Sequence, residues 1–105
     1  MKLSELDDLC KEINIPYAYG KFTEPINPPH LIGTVIDTDN FGADNKVWYK
    51  NCNFRLELTT IKKDLSLESK VENELLKDIY WDKTENQIED EGVYNISYFF
   101  NIEEE

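Results

Sequence analysis

Histidine and cysteine are scarce in this chain of 105 residues, which contains one histidine and two cysteines. A lone His30 cannot form a histidine-based zinc cluster, and Cys10 and Cys52 lack the CxxC spacing that would assist it. We therefore expect no metal site from these residues. We predict that both cysteines are reduced, partly buried thiols of a cytosolic protein.

Long apolar segments and basic residues are also lacking. No apolar run approaches the ~20 residues that a membrane span needs, and residues 1–5 lack the apolar core of a signal peptide. The chain has 11 Lys and Arg against 22 Asp and Glu, for a formal net charge of −11. From the lack of an apolar run we expect a soluble protein that does not enter membranes. Because a chain of this charge repels phosphate backbones, we also expect no direct binding of nucleic acid.

The length indicates a single domain over residues 1–105. A chain of this size buries roughly 60–70% of its unfolded surface, which is enough for a core without disulfide or metal staples.

Two helices are predicted from capping and periodicity. Ser4 and Asp7 have the spacing of a capping box, and Pro16 disfavours helical backbone at the residue before it, so the first helix spans about 4–14. Asp64 is the candidate cap of a second helix. The apolar stripe of that helix recurs at the spacing of one helix face, at Leu67, Val71, Leu75 and Ile79.

Strands are predicted where apolar and polar residues alternate. Residues 31–36 form the first β run, residues 47–60 the second and residues 93–102 the last. A short strand begins at residues 79–81, followed by a turn over residues 82–86. The segment 17–30 holds three prolines and one glycine, which predicts an extended connector without a regular ladder of hydrogen bonds.

The order of elements is therefore α-β-β-α-β-β. It predicts an α+β fold in which a mostly antiparallel four-stranded sheet carries two helices on one face. The first two strands and the loop between them would form a long β-hairpin.

Catalytic and metal-binding interpretations are weak. Asp37, Asp39 and Gly42 match positions of a calcium-binding loop, but Phe41 and Trp48 occupy positions that need oxygen ligands. His30 has no recognisable nucleophile or orienting partner. Acidic pairs and triplets such as Asp7-Asp8 are far more typical of solvated surfaces than of glycosidase sites. Tyr94, Tyr98 and Phe100 would suit base stacking, but without nearby Lys or Arg a core or subunit contact fits better. We expect no enzyme and no cofactor.

The polar segment 37–45 is longer than a two-residue hairpin turn requires. It contains one aromatic residue, one glycine and several Asx residues, a composition typical of a loop that holds a fixed shape and presents it to a partner.

Four strings occur together in order along most of the chain, from about Leu6 to Phe100. They are Ala18-Tyr19-Gly20-Lys21-Phe22, Pro28-Pro29-His30-Leu31-Ile32, Asn40-Phe41-Gly42-Ala43-Asp44-Asn45 and Glu89-Asp90-Glu91-Gly92-Val93-Tyr94. With them the sequence resembles the small tail-terminator and minor structural proteins of siphophages and prophages of Gram-positive bacteria.

The resemblance implies a protein that ends the growing tail tube as a ring of six subunits and joins it to the head-completion, or neck, proteins. The implied location is the virion neck, after assembly in the host cytoplasm. The resemblance brings no catalytic positions. The hypothesised contact residues lie in the loop and the connector: Asn40, Phe41, Asp44, Asn45, Tyr17, Tyr19 and Phe22.

Two other functions remain open at this point. A head-closure or neck adaptor has a similar size and charge. A small acidic protein that binds or inhibits a basic partner would also explain the charge of −11.

Overall fold

The computed structural model describes residues 2–38, 41–43, 46–49, 51–88 and 92–103, and gives only the backbone of residues 41–43, 46–49, 87 and 88. Its elements in chain order are α1 (Leu3–Glu12), β1 (Tyr17–Tyr19), β2 (His30–Thr38), β3 (Phe41–Ala43), β4 (Lys46–Tyr49), β5 (Asn51–Thr60), α2 (Leu65–Lys70), a π-helical turn (Val71–Leu75), β6 (Asp82–Ile88) and β7 (Val93–Glu103).

The main sheet has five strands in the order β1-β2-β5-β7-β6. Strand β1 runs parallel to β2, whereas the other neighbouring strands are antiparallel. Strands β3 and β4 form a separate two-stranded sheet. The predicted four-stranded, mostly antiparallel sheet in the order α-β-β-α-β-β is therefore wrong, and the fold is a five-stranded mixed sheet with two helices.

The additional strand lies in the segment predicted to be a connector. Residues 17–19 pair with β2 because the prolines of this region flank the strand and do not interrupt it. The Leu31 amide donates to the Pro16 carbonyl at 2.8 Å before the strand, and the Gly20 amide donates to the Gly33 carbonyl at 2.8 Å after it. Gly20 has a positive φ of 81°, which turns the chain away from the sheet.

The edge strand β6 was also mispredicted. Its residues Asp82–Ile88 read as a turn followed by a lead-in, because they are mainly polar and show no alternation. In the fold they pair with β7 over seven residue positions, from Asp82 opposite Phe99 to Ile88 opposite Val93. Pairing with β7, rather than the local sequence preference of residues 82–88, makes this segment a strand.

Helix boundaries follow the sequence in part. Helix α1 begins at Leu3 after Lys2, so Ser4 lies inside the helix and is not the cap. Asp64 does cap α2, because its Oδ1 accepts a hydrogen bond from the Leu67 amide at 3.1 Å. Helix α2 continues directly into the π-helical turn, which delivers Val71 and Leu75 to the core.

The core lies between the helices and one face of the sheet. Residues of β5 alternate strictly between buried and half-buried positions, and β7 buries Tyr98 and Ile102, as the alternation predicts. Leu6 and Cys10 of α1 belong to the same buried cluster. The helices thus cover one face of the sheet.

Cys10 and Cys52 are both buried and free. Burial, assisted by the nearby Asp7 charge, raises the pKa of the Cys10 thiol to about 12. The thiol therefore stays protonated and unreactive near neutral pH.

Candidate interaction surface

The connector aromatics have different surroundings. The Tyr17 hydroxyl donates a 2.6 Å hydrogen bond to Asp7 Oδ1. Burial of the ring, together with that carboxylate, raises the pKa of Tyr17. Tyr19 is 50% exposed, and its ring centroid lies 6.4 Å from that of Phe54. Among Tyr17, Tyr19 and Phe22, Tyr19 is the exposed residue and offers an aromatic surface to solvent.

Phe22 lies against His30, with ring centroids 5.3 Å apart and an edge-to-face geometry. The His30 Nδ1 atom is buried without a hydrogen-bond partner. Burial lowers the pKa of His30, although its own backbone and the charge of Glu57 oppose that shift. His30 is therefore a packing residue of the strand entry.

The predicted loop contacts are described only in part. Asn40, Asp44 and Asn45 lie outside the described residues. Phe41 is the first residue of β3, and its backbone pairs with that of Tyr49 on β4. The segment predicted as a loop therefore contains a short strand.

A cavity of about 540 Å³ lies at one end of the covered face of the sheet. Its floor comes from the ends of three neighbouring strands, at Val35, Cys52 and Ile102, and Leu3 of α1 and Tyr19 are among the side chains around it. Leu3, Ser4 and Asp7 place the first part of helix α1 beside this cavity. The described lining residues also include Asp7 and Glu103 but no Lys or Arg.

The edge of β2 beside this cavity is unpaired in the described structure. Strand β1 pairs with β2 only at Leu31, Ile32 and Gly33. Beyond Gly33, the described residues give Thr34–Thr38 a single neighbouring strand, β5. An edge of this kind offers backbone donors and acceptors to an added strand.

The described helices leave the opposite face of the sheet uncovered. Here Asp37, Asn53 and Asn101 form a polar ladder across β2, β5 and β7, in which Asn53 donates to Asp37 Oδ1 at 2.5 Å and Asn101 donates to Asn53. A second cavity of about 290 Å³ lies beside this ladder. Its lining includes Ile36, which is 49% exposed, and Tyr80, which is 84% exposed.

A charged cluster joins α2 and the π-helical turn to β6. The Glu68 side chain is only 3% exposed, and its Oε2 lies 3.0 Å from Lys63 Nζ. The hydrogen bond from Lys63 goes to Oε1 of the same carboxylate at 3.1 Å, while Oε2 is in ion-pair range without hydrogen-bond geometry. Lys83 contacts Glu72 at 3.0 Å and Glu68 at 3.5 Å.

Tyr98 completes this cluster by donating a 2.8 Å hydrogen bond to Glu72 Oε2. Burial and that hydrogen bond raise the pKa of Tyr98. Hydrogen bonds to Glu85 and Glu68 raise the pKa of Lys63. For Lys83, burial lowers the pKa, but the contacts with Glu72 and Glu68 outweigh it. Neither cavity reaches the cluster, so its role is to fasten β6 to the helical layer.

The sequence analysis missed this cluster, although a signal was present. Glu68 and Glu72 are spaced by four and therefore share one helix face, which lies next to the apolar stripe of Leu67 and Val71. Carboxylates next to such a buried stripe need a positively charged side chain on the element that packs against the helix. Lys83 supplies one, but it lies in a segment that was read as a turn.

Within the described ranges, no group of three His, Cys, Asp or Glu side chains is placed to hold a metal ion. A helix long and apolar enough to cross a membrane is likewise not found among the described residues. No protein-family model matches the chain, and no curated protein matches it either.

Proposed function

We propose that this protein is a virion structural protein of the tail-terminator type, which caps a phage tail tube as a homo-oligomeric ring and joins it to the neck. The four sequence strings support the class. The observation that carries the proposal is a sheet whose described helices cover one face, with exposed Ile36 and Tyr80 beside a polar ladder on the other.

Such a surface suits docking. Exposed apolar side chains rimmed by polar groups are typical of protein contacts. A ring built from identical chains uses heterologous contacts, so each subunit must offer two different, complementary surfaces. The uncovered face, the unpaired edge of β2 and the β3–β4 hairpin are three separate surfaces on one small chain.

The mechanism is stoichiometric. Subunits dock on the last ring of the tube protein, block further addition and present a new surface to the neck protein. In this proposal Phe41 and its loop neighbours contact the tube or an adjacent subunit, and Tyr19 contributes an exposed aromatic contact. Assembly takes place in the host cytoplasm, and the mature location is the virion neck.

The test is a tube-capping assay. Tubes polymerised from the major tail protein of the same phage or prophage are mixed with this chain, and tube lengths are measured by electron microscopy. We expect the chain to stop elongation and to label one tube end. Unchanged length distributions and unlabelled ends would refute the proposal.

Two variants sharpen this assay. Phe41→Ala should impair capping while leaving the unfolding transition unchanged. Ile61→Ala is the matched control, because it removes an exposed apolar side chain (64% exposed) from the turn after β5. Equal capping by both variants would remove Phe41 from the contact surface.

A further inference from the structure

The larger of the two cavities described above has the size and lining of a small-molecule site. Its volume is about 540 Å³. Sites for small molecules typically measure about 300–1,000 Å³ and are mainly apolar with a few polar groups. Leu3 of α1, Val35 of β2 and Ile102 of β7 contribute apolar side chains, and Cys52 of β5 adds a buried, free thiol. The cavity therefore suits an apolar group of several carbon atoms.

Asp7 of α1 gives this cavity a polar end. Its side chain lines the cavity and is half-buried, and its Oδ1 accepts the 2.6 Å hydrogen bond from the Tyr17 hydroxyl. Among the described residues, no Lys, Arg or His side chain forms an ion pair with this carboxylate. Lys11 lies one helical turn later on α1, but it is exposed and does not pair with Asp7. The carboxylate is thus held in place without a counter-ion from the described part of the chain.

The groups around Asp7 supply no positive charge. Burial, assisted by the Asp7 carboxylate, raises the pKa of the Cys10 thiol and of the Tyr17 hydroxyl, so both stay neutral near pH 7. Glu103 adds a second carboxylate to the lining, whose described residues include no Lys or Arg. A site of this charge attracts a cation and repels an anion. Tyr19, which also lines the cavity, supplies an aromatic ring of the kind that attracts organic cations.

We infer that this cavity binds a small amphiphilic amine, that is, a molecule with one protonated amino group and an apolar chain. The ammonium group pairs with Asp7, and the apolar chain lies against Val35, Cys52 and Ile102. A neutral molecule of the same shape lacks the charge-assisted hydrogen bond, and an anion is repelled by Asp7 and Glu103. The inference goes beyond the proposed function and does not rest on it, because all these residues belong to one subunit.

Ligands that differ only in the head group test this inference. n-Octylammonium, n-octanol and n-octanoate are titrated separately into the purified full chain at pH 7, and binding is followed by amide NMR shifts. We expect octylammonium to bind about tenfold or more tightly than octanol, and octanoate to bind more weakly than either. The shifts should centre on Val35, Cys52 and Ile102. Equal affinities for the amine and the alcohol, or shifts centred elsewhere, would overturn the inference.

Two variants distinguish a specific counter-ion from general attraction to an acidic chain. Asp7→Asn removes the charge but keeps an oxygen that can accept the Tyr17 hydrogen bond, so the unfolding midpoint should stay close to that of the wild type. Asp8→Asn is the matched control, because it removes the same charge from an exposed neighbour on α1. At about 0.15 M salt, Asp7→Asn should weaken octylammonium binding about tenfold or more, and Asp8→Asn less than about twofold. Equal losses would show non-specific attraction and contradict the inference.

The length of the alkyl chain tests the apolar part of the site. Each methylene group that becomes buried should tighten binding by up to about fourfold, so n-octylammonium should bind much more tightly than n-butylammonium. The two amines carry the same charge, so a difference between them reports burial of the chain alone. Equal affinities would show that the cavity does not hold the chain, and the inference would fail.

Discussion

The two edges of the main sheet are held in different ways. At one edge, β6 pairs with β7 over seven positions, and Lys83 and Lys63 tie it to the helical layer through ion pairs. At the other edge, β1 pairs with β2 over three positions and is fixed by backbone hydrogen bonds and the contact of Tyr17 with Asp7. One edge is long and charged, the other short and mainly uncharged.

This difference bears on which edge receives a partner. Charged side chains on an edge strand discourage the addition of another strand, and β6 carries Lys83 and Glu85. The short β1 leaves the neighbouring part of β2 uncovered. We therefore expect assembly at the β1–β2 edge and a closed, structural role for β6.

The largest expected effect tests the charged edge. Replacing Lys63 and Lys83 together by Met leaves the Glu68 carboxylate, 3% exposed, without a cation. Removing the partners of a buried charge typically costs about 3–5 kcal/mol, and we expect the lower end because both lysines are partly exposed. Urea unfolding followed by circular dichroism at pH 7 measures the loss.

A third substitution checks that mechanism. Glu68→Leu in the same background removes the buried charge and should recover most of the lost free energy of unfolding. If the triple variant is no more stable than the double variant, the loss comes from side-chain packing and not from the stranded carboxylate.

The next effect tests the short edge. A Cβ atom at Gly33 would lie 2.5 Å from Phe54 Cζ and 2.9 Å from the Tyr17 hydroxyl. Gly33→Ala should therefore lower the free energy of unfolding by about 1–3 kcal/mol through overpacking. The same substitution in a Tyr17→Phe background should cost less, since one of the two close atoms is gone. Equal costs would show that Phe54 alone sets the limit.

A smaller effect concerns Tyr17 and pH. The folded state holds the pKa of Tyr17 above its unfolded value of about 10, so this contribution is complete below pH 10 and is lost as the pH rises further. We expect Tyr17→Phe to cost about 1 kcal/mol at pH 7. Between pH 10 and 11 the stability of the wild type should fall more steeply than that of the variant. Parallel pH profiles would contradict this account.

The smallest effect concerns the outer ion pair of β6. Lys63 and Glu85 are 36% and 42% exposed, so Glu85→Gln should cost only about 0.2–1 kcal/mol. Raising the salt concentration to 1 M should remove most of the difference between variant and wild type, because exposed pairs are screened. A difference that persists in salt would place this pair inside the desolvated cluster.

The same comparison explains which elements the sequence predicts. Strands β2, β5 and β7 are central, and their one-sided burial imposes the alternation that identifies them, as in Phe54 and Leu56. Edge strands bury less and carry no such pattern. Strand β1 is hidden between Pro16 and Gly20, and β6 reads as a turn because its residues are polar. These two errors fall at the edges of the main sheet. A third lies elsewhere: the predicted strand 47–60 is divided into β4 and β5, which belong to different sheets.

The candidate surface was predictable to a lesser degree. The exposed position of Tyr19 follows from no local pattern, because it depends on where β1 ends relative to β2. Glu68 is spaced correctly for a buried face, but its role depends on Lys83, which is distant in sequence. The cavity lies where the first part of α1 meets the ends of β2, β5 and β7, and helix docking of this kind is a tertiary property.

Between Val35 and Asp37, strand β2 has one more residue than β5. This extra residue forms a bulge at Ile36. Because Ile36 is the extra residue, deleting it would leave Asp37 opposite Asn53 and Thr38 opposite Cys52, now in a regular ladder without the bend and added twist of a bulge. The pairing of Leu31 with Leu58 nearer the core would be unaffected. A one-codon deletion here would thus straighten the distal end of the strand during evolution while keeping its pairing and leaving the folded body intact.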